Sequence, residues 1–226
     1  MKITYYGQSC FGIQFGGYNL LFDPFISPNE LARGIDVNAV PADFILISHG
    51  HQDHIADAES IAKRTGATVI SCYEIVSWYG AKGIKGHPMN HGGKAKFDFG
   101  TVKYVNAIHS SSFPDGSYAG NPGGFVIWND EGCLYFSGDT ALTMDMKLIP
   151  MTCPKLDVCI FPIGDNFTMG YEDATTASDF VECDKVVGCH YDTFGYIKID
   201  HNEALKAFND KGKTLLLPAI GETIEV

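Results

Sequence analysis

The chain has 226 residues, of which 45% are apolar and 19% are charged, and its formal net charge is −11 with histidine counted as neutral. Such a composition suits a chain that buries a large core, and it excludes an intrinsically disordered protein. The acidic balance argues against nucleic acid and anionic membranes as partners, because either would require a basic surface.

The first third of the chain is predicted to begin with strands. Two β-rich stretches and a Gly16-Gly17 turn lead into a third strand, and they cover residues 2–6, 9–15 and 18–22. The apolar run 44–47 is predicted as a buried strand. Residues 57–65 have a helical composition ended by Gly66, and residues 68–71 are strand-like again.

The middle segment, residues 80–124, is rich in Gly, Asn, Ser and Pro, and one strand is predicted in it at 101–107. Residues 110–124 form a long loop, and such loops are usually functional or mobile. A hairpin is expected at 125–129 and 133–137. Helices are then predicted near 141–148, 171–181 and 202–209, with strands at 158–161, 185–189 and 214–217.

Blocks of strands followed by interleaved helices indicate two packed sheets with helices outside them, in one domain over residues 1–226. The opening MKITYYGQS lacks the apolar region of a signal peptide, and no window approaches 18 apolar residues. We therefore expect a cytoplasmic protein. The seven cysteines, with no CxxC pair, are expected to be reduced and mostly buried.

Residues 48–55, SHGHQDHI, crowd three histidines and an aspartate directly after the predicted strand 44–47. This segment is either a solvated turn of unusual composition or a metal-binding loop. Histidine is an uncommon residue and the commonest metal ligand, which favours the second interpretation. Imidazole and carboxylate together suit zinc, iron or manganese.

The segment SHGHQDH matches the HxHxDH motif of the metallo-β-lactamase superfamily, and the rest of that superfamily's pattern follows in order. A histidine, an aspartate and a last histidine each follow an apolar run: His109 in NAIHSS, Asp139 in FSGDT and His190 in VVGCHYDTF. The resemblance covers essentially the whole chain.

A narrower resemblance is to the short-chain UPF0173-type metal-dependent hydrolases, relatives of the sugar-phosphate lactonases. It rests on MKITYYGQSCF, LLFDPF, GDTAL, FPIGDNFTMGYEDA and CHYDTF. Gly7-Gln8-Ser9 stands where the family has Gly-His-Ser. This departure removes a basic group at position 8 and is expected to leave the metal ligands untouched.

The resemblance implies an α+β fold, a four-layer αββα sandwich of two mixed sheets flanked by helices. It also implies two divalent metal ions, zinc or manganese with iron as a further option. The ligands of the first metal would be His49, His51 and His109. Those of the second would be Asp53, His54 and His190, with Asp139 bridging both.

Two such metals lower the pKa of a bridging water and polarise the scissile group. Asp53 is the predicted catalytic residue, because it could orient the resulting hydroxide and carry a proton to the leaving group. The expected reaction is hydrolysis of a small ester, lactone or phosphodiester, and the analogy with lactonases mildly favours a lactone or a phosphorylated metabolite. A mononuclear iron dioxygenase and a non-catalytic metal-binding protein are the alternatives.

The partner is expected to be a small-molecule substrate, and homo-oligomer formation is left open. Candidate substrate contacts are Asn166 and Thr168 in GDNFTMG and His91 in a Gly-rich loop, although a surface histidine is the other reading of His91. Asp23 either supports a ligand histidine from behind or simply forms an Asp-Pro turn. Neither His87 nor His201 has a motif around it, and we expect both to be solvated.

Overall fold

The computed structural model describes all 226 residues and contains fourteen strands in two sheets of seven. In chain order the strands are β1 Lys2–Gly7, β2 Cys10–Phe15, β3 Tyr18–Phe22, β4 Phe44–Leu46, β5 Thr68–Cys72, β6 Gly86–Met89, β7 Lys94–Phe97, β8 Gly100–Asn106, β9 Gly123–Asn129, β10 Gly132–Phe136, β11 Val158–Pro162, β12 Lys185–Cys189, β13 Thr214–Leu216 and β14 Thr223–Glu225. The helices are α1 Gln52–Ile55, α2 Ala58–Thr65, α3 Tyr73–Gly80, α4 Leu148–Thr152, α5 Tyr171–Phe180 and α6 His201–Asn209.

The two sheets have the same internal arrangement. In the first sheet the order is β14-β1-β2-β3-β4-β5-β6, antiparallel up to β3 and parallel from β3 onward. In the second the order is β7-β8-β9-β10-β11-β12-β13, antiparallel up to β10 and parallel from β10 onward. In each sheet the parallel strands therefore end at a common edge, where the loops that follow them meet.

The core between the sheets is aromatic. The Phe136 ring of the second sheet lies 5.0 Å from the Phe22 ring and 6.4 Å from the Phe11 ring of the first, measured between ring centroids. Along β10 the side chains alternate, so that Leu134 joins this core whereas Tyr135 packs toward the helices on the outer face. Strands buried on both faces explain why β10 to β12 are nearly continuous apolar runs.

Helices cover the outer faces of both sheets. Helix α3 packs on β5 and β6, while α5 and α6 pack on β11 and β13. Helix α2 ends at Gly66, whose left-handed φ of +76° terminates the helix as predicted. The four layers confirm the predicted αββα sandwich of two mixed sheets flanked by helices.

Three local predictions were wrong. Residues 80–124 hold three strands instead of one, because β6 and β7 are short, polar edge strands that lack an apolar signature. Helix α3 was missed, since its aromatic and β-branched residues favour a strand and only the burial of Ile75 and Tyr79 selects the helix. The helix expected at 141–148 is a 3₁₀ turn, Met144–Lys147, followed by the short α4.

The prediction that most of the cysteines are buried is confirmed. All seven thiols are free, six are buried, and Cys153 is half-buried. No helix is both long and apolar enough to cross a membrane.

The packing of the two sheets can be tested at Phe136, which is fully buried between them. Phe136→Ala should lower the free energy of unfolding by about 3–5 kcal/mol, since it removes a large ring and leaves a cavity. Chemical denaturation measures the change. Met151→Ala, at a side chain that is mostly exposed on α4, should shift the free energy by less than about 0.5 kcal/mol. Equal effects of the two substitutions would contradict this account of the core.

Candidate metal centre

Four chain segments meet at the edge where the parallel strands end. They are the loop after β4 that runs into α1, the segment after β8, the turn after β10 and the residue after β12. His51 precedes α1 in extended conformation, so the one-turn helix carries Asp53 and His54 side by side. Both sheets therefore contribute side chains to one place.

The first group of side chains is His49, His51 and His109. One nitrogen from each ring lies within 4.8 Å of the others. His49 Nε2 and His51 Nδ1 are 2.9 Å apart, and the His109 ring centroid lies 5.0 Å from that of His49 and 5.1 Å from that of His51. Three imidazoles facing a common point form one set of donor atoms.

The second group is Asp53, His54, Asp139 and His190, whose ligand atoms also lie within 4.8 Å of one another. Asp139 Oδ2 is 3.0 Å from His190 Nε2 and 3.2 Å from His54 Nε2. Asp53 Oδ2 is 3.4 Å from His54 Nε2 and 3.6 Å from His190 Nε2. This set combines two imidazoles with two carboxylates.

Asp139 lies between the two groups. Its Oδ2 is also 3.7 Å from His109 Nε2 and 4.0 Å from His49 Nε2, and its side chain is only 2% exposed. One carboxylate oxygen thus lies near rings of both sets. The structure brings together all seven residues that the sequence motif and its downstream partners predicted.

Asp23 supports the cluster from behind. It is fully buried, and its carboxylate accepts hydrogen bonds from Ser48 N at 2.7 Å and Ser48 Oγ at 2.5 Å. His54 Nδ1 lies 2.7 Å from Asp23 Oδ2, and since a carboxylate accepts, this nitrogen is the donor. The contact leaves His54 Nε2 facing the cluster. Asp23 is therefore the support of a candidate ligand histidine and not only the start of an Asp-Pro turn.

Ser48 performs the same task for His49. Its hydroxyl already donates to Asp23, so the 2.9 Å contact with His49 Nδ1 is one in which the imidazole donates. His49 Nε2 is then free to face the cluster. Such outer contacts fix the tautomer and orientation of metal-binding histidines.

Gln8 is a residue whose role the sequence analysis missed. It is fully buried, and its Nε2 donates to Asp53 Oδ2 at 2.8 Å. Its backbone carbonyl accepts from His190 N at 2.9 Å. The departure at Gly7-Gln8-Ser9 thus touches two candidate ligands directly, contrary to the expectation. The signal was present, because this tripeptide is where the chain departs from the family's pattern.

The electrostatics differ between the two sets. Burial lowers the pKa of His49, His51 and His109, which favours the neutral imidazole that binds metals. Burial alone would likewise lower the pKa of His190 and of His54. At His190 the carboxylates of Asp139 and Asp53 prevail and raise the pKa to about 9, and at His54 Asp139, Asp53 and Asp23 raise it well above the usual value.

The pKa values of the two carboxylates are lowered by the same contacts. Burial raises the pKa of Asp139, but the neighbouring His190 and His54 outweigh it and hold that pKa well below its usual range. Asp53 is lowered in the same way, against burial, by His54 and His190. Both carboxylates are therefore ionised at neutral pH, which is the form that coordinates a cation.

The residues fit divalent metal ions. Buried polar atoms without a hydrogen-bond partner cluster here, among them His54 Nε2, Asp139 Oδ1 and His190 Nδ1. Leaving such atoms unsatisfied costs about 1–3 kcal/mol each. Five imidazoles and two carboxylates are also the donor types that zinc, manganese and iron take. A cation bound among these atoms would satisfy the inward-facing ones.

The predicted substrate contacts lie elsewhere than expected. Asn166 is exposed and Thr168 is half-buried, with its hydroxyl donating to Met169 O at 3.2 Å, and neither lines the cleft over the cluster. His91 lies outside this cleft, in a separate cavity of about 300 Å³. Its ring is held there by Pro122 O, 2.9 Å from Nε2, and by the Tyr104 ring.

The two histidines without motif context are not part of the cluster. His87 packs against the Phe97 ring, with centroids 4.9 Å apart, and is half-buried instead of solvated. His201 is exposed as expected, and its Nε2 lies 2.7 Å from Asp192 Oδ2.

The cleft over the cluster has a volume of about 440 Å³. Besides candidate ligands, its walls contain Gln52, Ser110 and three aromatic side chains: Phe25, Phe167 and Phe194. The sequence analysis missed these aromatics, because a phenylalanine in a loop carries no motif. The one available signal was that Phe167 and Phe194 follow strands that end at the site.

Comparisons with known proteins agree with this geometry. A model of the β-lactamase superfamily domain matches residues 2–190. A UPF0173 metal-dependent hydrolase of Christiangramia forsetii is 61% identical over 227 residues, an alignment that covers 100% of both chains.

Solved structures show the same fold. Igni18, a metallo hydrolase from the archaeon Ignicoccus hospitalis, is 34% identical with a TM-score of 0.89, covering 99% of this chain and 97% of that one. An isothiocyanate hydrolase from Delia radicum gut bacteria has a TM-score of 0.79 at 17% identity, covering 100% and 99%. The latter likeness is one of fold alone.

The domain match and the 61% identity to a UPF0173 hydrolase over its whole length confirm the resemblance. That resemblance was carried by SHGHQDH, His109, Asp139 and His190. The chain belongs to the metallo-β-lactamase superfamily and, within it, to the UPF0173 metal-dependent hydrolases.

Proposed function

We propose that this enzyme hydrolyses a small ester, lactone or phosphodiester at a centre of two divalent metal ions, zinc or manganese. The observation that carries the proposal is the position of Asp139, whose Oδ2 lies within 4.0 Å of ring nitrogens from both ligand sets. A carboxylate so placed can serve two cations at once.

The ligands divide between the two ions. His49, His51 and His109 would hold the first, and Asp53, His54 and His190 the second, with Asp139 shared. When bound, the ions lower the pKa of a water molecule and polarise the carbonyl or phosphoryl oxygen of the scissile group.

Asp53 is the proposed catalytic residue. Its side chain is 22% exposed and lines the cleft, so it is accessible to substrate as well as to the metal. The Gln8 amide donates to Oδ2 and fixes the orientation of the carboxylate. So held, Asp53 would accept a hydrogen bond from the attacking water and pass its proton to the leaving group.

The second ligand set favours a hydrolase over a mononuclear iron dioxygenase. A single-iron enzyme has no need of Asp53 and His54 as ligands, yet both are buried or half-buried beside Asp139 with their donor atoms directed inward. Elemental analysis of the purified protein separates the two functions. Two zinc or manganese ions per chain would support the hydrolase. One tightly bound iron per chain would contradict the proposed dinuclear hydrolase.

Substituting Asp139 tests the shared ligand. Asp139→Ala should reduce the metal content to one ion per chain or less and lower the hydrolysis of any ester or phosphodiester probe by at least about 100-fold. Metal content is measured by elemental analysis and activity by steady-state kinetics. His87→Ala is the matched control, since His87 packs against Phe97 and belongs neither to the candidate ligands nor to the cleft wall, and it should retain both. An Asp139→Ala enzyme with two metals and full activity would show the ligand assignment to be wrong.

Asp23→Asn tests the support behind His54. Asparagine preserves the shape but removes the charged acceptor of the His54 Nδ1–H, so metal affinity should fall about 10–100-fold. Competition with a chelator measures it. Asp43→Asn is the control, because the exposed Asp43 accepts hydrogen bonds from half-buried Asn19 and touches no candidate ligand. If both variants bind metal as the unchanged protein does, Asp23 plays no part in the centre.

A further inference from the structure

The walls of the metal cleft define a narrower substrate class. We infer that the enzyme takes an uncharged ester or lactone bearing an aromatic or similarly bulky apolar group, and that Phe167 and Phe194 select that group. This inference rests on the proposed hydrolysis at the same site and goes beyond it in naming what surrounds the scissile bond.

The cleft is flanked by an unusual concentration of accessible aromatic surface. Phe25 and Phe194 pack together with ring centroids 6.3 Å apart. Phe167 packs edge-on against Tyr196 at 6.1 Å. Phe167 is 49% exposed and Phe194 38% exposed, although most phenylalanines of this chain are buried. Solvent-exposed apolar side chains that surround a polar centre are typical of a surface to which an apolar ligand binds.

The loop that presents Phe167 is held against the metal ligands. Asp165 and Asn166 both adopt left-handed conformations, with φ of +60° and +58°. Asp and Asn are the non-glycine residues that adopt this conformation most readily, and here they form a tight turn. Met169 N donates to Thr140 O at 2.9 Å, next to the candidate ligand Asp139. The turn that carries Phe167 is thus hydrogen-bonded to the segment that carries Asp139.

The opposite side of that loop is fixed as well. A Cβ added at Gly164 would collide with the backbone carbonyl of His190, so only glycine allows this close approach. The loop therefore lies between the segments that carry Asp139 and His190. Its tip, Phe167, keeps a defined position relative to the two ligands.

The loop that presents Phe194 is similarly restrained by Asp192, whose φ is +62°. Asp192 N donates to Ile197 O at 2.8 Å, and Oδ1 accepts from Ile199 N at 3.2 Å. Oδ2 lies 2.7 Å from His201 Nε2. This closes a tight loop two residues after the ligand His190. Both aromatic side chains are therefore preorganised and do not need ligand to order them.

The charge of the cleft excludes a substrate with an added anionic group. No lysine or arginine lines it, and every titratable side chain in its wall is one of the candidate metal ligands. Recognition of a phosphate away from the scissile bond requires arginine, lysine or a helix N-terminus with free backbone donors. The metal ions, when bound, would engage the scissile group itself. This argues against the phosphorylated metabolite that the analogy with lactonases had favoured.

The volume of the cleft and the other polar side chains in its wall fit the same substrate class, an uncharged ester or lactone with an apolar group. A cleft of about 440 Å³ accommodates a substrate of one ring plus an ester or lactone. Ser110, whose Oγ is 3.4 Å from His51 Nε2, is the one hydroxyl in the wall. Besides the candidate metal ligands, the wall therefore offers one hydroxyl, the Gln52 amide and three aromatic side chains.

The test compares matched substrates, so that intrinsic reactivity cancels. The metal-loaded enzyme is assayed for kcat/KM with γ-phenyl-γ-butyrolactone against γ-butyrolactone, and with 6-phosphoglucono-δ-lactone against glucono-δ-lactone. We expect a preference of at least about 10-fold for the phenyl lactone, consistent with aromatic contact plus apolar burial. The phosphorylated-to-unphosphorylated ratio should be one or below.

Phe167→Ala and Phe194→Ala should each reduce the preference for the phenyl lactone about 5-fold or more, mainly through KM. Both side chains are partly exposed, so these variants should fold, which thermal denaturation verifies. Phe180→Ala is the matched control, because Phe180 lies on α5 against Lys147 and away from the cleft. It should leave the preference unchanged.

The outcomes separate the two proposals. If the lactones are hydrolysed without preference, if both Phe variants keep the full preference, or if the phosphorylated lactone is favoured 10-fold, the substrate class is wrong and the hydrolase remains. If neither the lactones nor bis(p-nitrophenyl) phosphate is hydrolysed by the metal-loaded enzyme, the proposed function itself fails and the substrate class fails with it.

Discussion

The burial of the Asp139 carboxylate among imidazole rings is the interaction on which the rest of the site depends. An ionised carboxylate removed from water costs several kcal/mol unless charge and hydrogen bonds compensate. Here His190 and His54 lie within 3.2 Å, and Asp23 in turn holds the far side of the His54 ring. Removing one member leaves another buried and uncompensated. This coupling explains why residues from so many segments have to be correct together.

Much of this arrangement could be predicted from the sequence, in part from local rules and in part from the resemblance to the superfamily's motif, which implied the ligand set. Polar residues after apolar strands collect at the sheet edge. Within SHGHQDHI, the loop brings His49 and His51 there, and the one-turn helix that follows brings Asp53 and His54. His109, Asp139 and His190 each follow a strand or an apolar run. Strand positions in the second half were recovered closely because β10 to β12 are apolar on both faces.

What the sequence could not provide depends on tertiary contacts. Helix α3 has a strand-like composition, and only its packing on β5 and β6 decides its conformation. Gln8 is near the ligands because the turn between β1 and β2 meets the end of β12, a contact between residues 182 positions apart. Phe167 and Phe194 line one cleft because the loops after β11 and β12 meet there. His91, in a glycine-rich loop, lines another cavity.

The two sheets share one strand arrangement, and His54 lies between corresponding aspartates of the two. Asp23 follows β3 and Asp139 follows β10, the strands at which each sheet changes from antiparallel to parallel pairing. One aspartate faces Nδ1 of His54 at 2.7 Å and the other faces Nε2 at 3.2 Å. A single imidazole thus joins the two halves of the molecule. Cations that bind this cluster would recognise only the assembled sandwich, so their concentration should set the melting temperature of the whole fold and not merely the order of one loop.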